Sequence, residues 1–201
     1  MAEAFPTSFA PGRYGKAEGR PGVQVRERQV GLLVSVIARR GAAASTAVAT
    51  TATTIPQDFG LDALTVLGVG PGHWWIESTS SARSADDLQA MFEGSASVFD
   101  LTDSRVVFEL GGPRIRDALA KMLPIDLHPS VFRTGDVAVT IANHIGVTLW
   151  RTTDSPSPDA QTADAPQYRL AVARSYAASF WRGFVASAAE YGCEASPEVS
   201  P

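Results

Sequence analysis

The run VGLLVSVI at residues 30–37 is short and almost wholly apolar, which predicts a strand covered on both faces. Further along, LTVLGVGPG predicts a strand and a tight turn. HWWIES then alternates, with Trp74, Ile76 and Ser78 on one side and His73, Trp75 and Glu77 on the other. Ser84 stands three residues before Asp87, so its hydroxyl caps a helix whose apolar face is Leu88, Met91 and Phe92, with Gly94 as its stop. The alanine-rich segment before Pro56 predicts a small helix ending well short of the proline.

In the second half, Val106, Phe108 and Leu110 alternate as a strand. Gly-Gly-Pro then opens a helix with an apolar stripe of Ile115, Ala118, Leu119, Met122 and Leu123, ended by Pro124. GDVAVTIANHIGVTLWR predicts a β-hairpin: Val137, Val139 and Ile141 alternate, Asn143 and His144 turn the chain, and Ile145, Val147 and Leu149 return. YRLAVA predicts a strand, and Tyr176, Phe180, Phe184 and Ala188 mark the longest helix, ended by Gly192. HWWIES with its following helix pairs in rhythm with YRLAVA and its helix. The expectation is an α+β fold built by degenerate internal duplication of a β-α-β unit, with mixed or antiparallel sheets.

Three stretches break the periodicity. Residues 1–28 are interrupted by Pro and Gly throughout, which predicts an extended basic arm with no core of its own. Residues 152–166 form a small, polar, proline-containing excursion, and 193–201 a disordered tail. A single duplicated domain is expected over 29–192. The arm carries Phe5, Phe9 and Tyr14 as aromatic anchors and Arg13 and Arg20 as charges, so a partner interface is expected there. The Trp74-Trp75 pair sends one ring to each face of its strand, and Trp75 is the candidate for the partner-facing ring.

At 201 residues and 21.2 kDa the chain excludes a large multidomain enzyme. A net charge of -4 gives no reason to expect nucleic acid or an anionic membrane as partner. No run of about 18 apolar residues occurs and no secretory leader is apparent, so a cytoplasmic protein is expected. Charge is uneven: residues 1–40 carry seven basic against three acidic side chains, and residues 41–110 two against nine.

Candidate chemistry is sparse. Gly68, Gly70 and Gly72 follow a strand, but HWWIES after them is another strand, whereas a dinucleotide cradle needs a helix there. Gly111-Gly112-Pro113-Arg114 would be a better anion site, with Arg114 and Arg116 beside the helix start, although ordinary helix initiation explains the same residues. His73, His128 and His144 have no second ligand at helical or strand spacing, no Gly-x-Ser-x-Gly elbow is present, and Cys193 is expected in the last helical turn as an inert thiol. No catalytic, cofactor-binding or metal-binding residue is therefore assigned.

With GVGPGHWWIES, the block FDLTDSRVVFELGGPRIRDALAKMLPIDLHPSVF and the hairpin GDVAVTIANHIGVTLWR, the chain resembles the gamma subunits of heterotetrameric sarcosine oxidase over most of residues 30–192. That family in turn resembles the folate-binding domain of the aminomethyltransferase T-protein of glycine cleavage. The resemblance implies an accessory chain beside alpha, beta and delta subunits, in a complex that oxidatively demethylates sarcosine to glycine. FAD, FMN and NAD would be held by the larger subunits, tetrahydrofolate would accept the one-carbon unit, and O2 would be reduced to H2O2. The alternative is a stand-alone folate-binding protein related to the aminomethyltransferases, against which the length argues.

Overall fold

The computed structural model of the chain describes residues 9–41, 64–92, 94–152 and 165–196. It divides into two compact units, Gln29–Arg105 in one and Met1–Arg28 with Val106–Pro201 in the other. The expected alanine-rich helix, Phe5 and most of the 152–166 excursion lie outside the described residues.

The Gln29–Arg105 unit is built on four strands in the order β4-β5-β3-β6: β3 (Leu32–Ala38), β4 (Leu64–Gly70), β5 (His73–Ser78) and β6 (Ala96–Asp100). Leu32 to Val36 are buried in succession, as a strand covered on both faces requires. Helix α1 (Ala85–Met91) lies on one face, with Leu88 and Phe92 against Val34, Val36 and Ile76. Its start is the expected capping box, in which the Asp87 amide donates to Ser84 Oγ (3.2 Å) and the Ser84 amide to Asp87 Oδ2 (2.8 Å). Both β5 and β6 run antiparallel to β3, so they are parallel to each other with β3 between them.

The other unit carries seven strands in the order β1-β11-β2-β7-β10-β9-β8. They are β1 (Gly12–Tyr14), β2 (Val23–Arg28), β7 (Arg105–Gly111), β8 (Val137–Ala142), β9 (Ile145–Arg151), β10 (Tyr168–Ala173) and β11 (Cys193–Ser196). Helices α2 (Ile115–Ala120) and α3 (Ala177–Ala188) cover one face, and Phe108, Leu110, Leu149, Leu170, Phe180 and Phe184 fill the space between. Asn143 and His144 both take positive φ (47° and 69°), the two-residue turn expected of the β8–β9 hairpin. The succession β10-α3-β11 repeats β5-α1-β6 in order but not in spacing, because two strands, β2 and β7, separate its strands where β3 alone separates the other pair.

Several expectations need correction. The described part of the expected arm, residues 9–28, belongs to the fold: Val23 and Val25 are core residues of β2, an interior strand held between β11 and β7. Their alternation with Gln24 and Arg26 is a period-two signal that Pro21 and Gly22 obscure. Residues 193–196 form β11, parallel to β2, in place of a disordered tail, and Cys193 sits on that strand, not in a helix. Helix α2 stops at Ala120, yet Met122 and Leu123 stay buried in a turn whose amides both donate to Leu119 O (2.9 Å each). On α3 the buried stripe is Ala177, Phe180, Trp181, Phe184 and Ala188, and Tyr176 is exposed because a 3-10 turn precedes the helix.

Candidate functional site

An ionic group lies on the sheet face opposite α2 and α3. Glu109 on β7 stands directly across from Arg26 on β2, with Arg28 two residues on and Arg169 on the neighbouring strand β10. Arg26 Nε donates to Oε2, Arg28 Nη1 to Oε1 at 2.7 Å, and Arg169 Nε to Oε1 at 3.2 Å. Burial alone would push the Glu109 carboxyl up. The hydrogen bond from Arg26 and the charges of Arg26, Arg169 and Arg28 outweigh it and hold the group below the ordinary glutamate value. Three guanidinium groups on one half-buried carboxylate tie three adjacent strands together and favour its ionised form.

His73 has a single described partner, Ser35 Oγ, 2.7 Å from its Nε2 across the β3–β5 pair. Desolvation lowers its pKa from the ordinary histidine value, which favours the neutral ring. A serine–histidine nucleophile also needs an acid at Nδ1. Glu77 shares that face of β5 but stands four residues along, about 13 Å at strand rise, with Trp75 between them. The geometry is that of a neutral hydrogen bond closing a sheet.

The remaining candidates are engaged locally. His128 Nδ1 meets Ser130 Oγ at 2.7 Å in a turn where the His128 amide also donates to Asp126 Oδ1 (2.8 Å). At the Gly-Pro helix start the Arg114 amide donates to Gly22 O (2.8 Å). The Arg114 guanidinium pairs with Asp117 (2.6 Å) and covers the Tyr191 ring (4.7 Å), and Arg116 Nε donates to the Tyr168 hydroxyl (3.2 Å). These groups, which the sequence offered either as an anion site or as ordinary helix initiation, fasten α2 to its surroundings. His144 is exposed beside a shallow cleft lined by Lys121, Leu123, Ile141 and Asn143. Cys193 is fully buried, and burial, then the charge of Glu194, pushes its pKa up to about 12. Among the described residues no three His, Cys, Asp or Glu side chains gather as a metal site.

The residues expected at a partner interface fall differently. Phe9 is buried in this chain's own core, its ring stacked on Trp181 and on Phe108 with centroids 4.3 and 6.3 Å apart, and Tyr14 meets Trp181 edge-on at 5.3 Å. Arg13 donates to the carbonyls of Lys16, Glu18 and Gly19, while Arg20 is exposed. Trp75 is buried with the Arg105 guanidinium 5.8 Å from its ring, whereas its neighbour Trp74 packs on the α1 side. Neither Phe9 nor Trp75 offers its ring to solvent, because the chain's own folding covers them. The signal for Phe9 was available in Trp181, whose i, i+3 spacing to Phe184 places both on the α3 stripe.

No protein-family model matches the chain. Two sarcosine oxidase gamma subunits, from Corynebacterium sp. (strain P-1) and Arthrobacter sp., are each 34% identical over 137 residues, spanning 65% of this chain and 68% of the relative. This chain belongs to the sarcosine oxidase gamma-subunit family. A third gamma subunit, from Corynebacterium sp. (strain U-96), is 35% identical over 88 residues, 43% of each chain. In structure, this gamma-subunit family member is similar to a chain of the heterotetrameric sarcosine oxidase from Corynebacterium sp. U-96 in complex with pyrrole 2-carboxylate. The TM-score is 0.69 at 22% identity over 87% of both chains. It is also similar to the glycine cleavage system aminomethyltransferase T from Bartonella henselae, with a TM-score of 0.60 at 14% identity over 88% of this chain and 48% of the other. The expected aminomethyltransferase-like α+β fold is thus present.

Proposed function

We propose that this chain is the gamma subunit of a cytoplasmic heterotetrameric sarcosine oxidase, in which it has an assembly role and the alpha, beta and delta subunits hold FAD, FMN, NAD and tetrahydrofolate. The observation that carries the reading is the 34% identity to sarcosine oxidase gamma subunits over 68% of their length. Three reactive side chains that serve the fold support it: Cys193 is buried as a thiol, His73 is held by Ser35 and Glu109 by three arginines. No helix among the described residues is long and apolar enough to cross a membrane.

The test is purification of the full chain from its native source. Stoichiometric co-elution with larger flavin-containing chains that oxidise sarcosine supports the reading. A colourless monomer that binds tetrahydrofolate would overturn it in favour of a stand-alone folate-binding protein. In the intact complex, replacing His73, His128, His144 or Cys193 singly by alanine should leave turnover within a few-fold.

A further inference from the structure

The two sheets have four edges, and three of them are closed by identifiable devices. Along β6, the Gln89 side chain of α1 accepts from the Val98 amide (2.9 Å) and donates to Ala96 O (3.4 Å), occupying two of the outward backbone groups of that edge. Edge strand β4 changes register between Gly68 and Gly70, the bulge that spoils an edge as a template. At β1, only three residues long, Arg13 draws the following loop round through the carbonyls of Lys16, Glu18 and Gly19, and the Tyr14 hydroxyl donates to Ala10 O (2.6 Å).

Strand β8 has none of these among the described residues. Its six residues, VAVTIA, include no charge, proline or glycine, and its pairing with β9 is regular throughout. Ala142 and Ile145 flank a two-residue turn and so form a hydrogen-bonded pair, which directs the backbone groups of Ala142, Thr140 and Ala138 toward β9. The N–H and C=O groups of Val137, Val139 and Ile141 therefore point away from the sheet. Two of those same residues are the exposed apolar ones, Val139 at 61% and Ile141 at 48%. A ladder of backbone donors and acceptors with no partner among the described residues, bordered by exposed branched side chains and carrying no charge of its own, is matched chemically by an extended, uncharged backbone. Beyond its end the Asn143 amide donates to Met122 O (3.3 Å), and Lys121 lines the cleft beside Ile141.

We propose that the outward edge of β8 binds an extended, uncharged segment of another subunit of the oxidase, which adds to the seven-stranded sheet as an eighth strand. The inference rests on the gamma-subunit reading, which also selects the occupant: in an assembly of unlike chains the strand comes from a different subunit, not from a second copy. Apolar side chains at alternate positions of that segment would lie over Val139 and Ile141.

The test compares amide hydrogen exchange in the full chain, free and within the assembled complex. Val139 and Ile141 amides should exchange rapidly in the free chain and slow at least a hundredfold in the complex, while Thr140 and Ala142 are protected in both. Val139→Pro removes one outward N–H without touching the β8–β9 ladder, and should weaken association at least tenfold with the free chain's melting temperature little changed. Should the proline variant fail to fold, Val139→Lys supplies the same readout. Unchanged affinity in the folded variants, or no added protection in the complex, overturns the inference alone. So does protection already present in the free chain, or self-association abolished by Val139→Lys. Failure of the unaltered chain to join the other subunits overturns the gamma-subunit reading itself, and this inference with it.

Discussion

The ring of Phe9 lies on that of Trp181 with centroids 4.3 Å apart and planes 24° from parallel, so a residue from the start of the chain closes the core over the longest helix. Phe9→Ala should cost about 3 kcal/mol by removing a buried aromatic ring. Deleting residues 1–28 should abolish cooperative unfolding, since β2 lies inside the sheet between β11 and β7. A truncated chain with an intact thermal transition would contradict this.

Gly15 has φ of +74°, and a Cβ there would stand 2.1 Å from the backbone oxygen of Ala189. The next residue's amide donates to that same oxygen at 2.8 Å. Gly19 has a similar φ of +77° but open space around it. Gly15→Ala should therefore destabilise by about 2 kcal/mol or more, and Gly19→Ala only by the backbone part, about 1 kcal/mol. Equal losses in denaturant titrations would show that the clash relaxes freely.

Glu109 is held below the ordinary glutamate value of 4.5, so the folded chain releases its proton more readily than the unfolded one. Its contribution is fully present above pH 4.5 and declines as pH falls through the folded value. Glu109→Gln should lower stability at pH 7 by about 2 kcal/mol, since three guanidinium groups lose their shared anion, and should flatten the acid side of the stability profile. Parallel profiles for the two proteins below pH 4.5 would refute the assignment.

With its pKa near 12 and its side chain buried, the Cys193 thiol should react with iodoacetamide only as fast as the chain opens. At pH 8 its thiolate fraction is about a thousandfold below that of a thiol at the ordinary value of 9.0. Native labelling at the rate seen in denaturant would place the residue at the surface.

Much of the architecture was legible in the chain because it is local. The positive-φ pair Asn143-His144, the Ser84–Asp87 capping box and the Gly-Pro start of α2 depend on residues within a few positions of each other. So does the alternation of β8 and β9, and local conformational preference reads directly from such neighbours. What tertiary structure decided is non-local. Arg26 and Glu109 are 83 positions apart, and only the antiparallel pairing of β2 with β7 sets them opposite one another. Val23 is a core residue because β11 and β7 flank its strand, while Phe9 is buried because α3 presents Trp181. VAVTIA reads as a strand from its own alternation. That its outer edge stays open while Gln89 closes the edge of β6 follows from which strands stand last in each sheet, an order that no local period encodes.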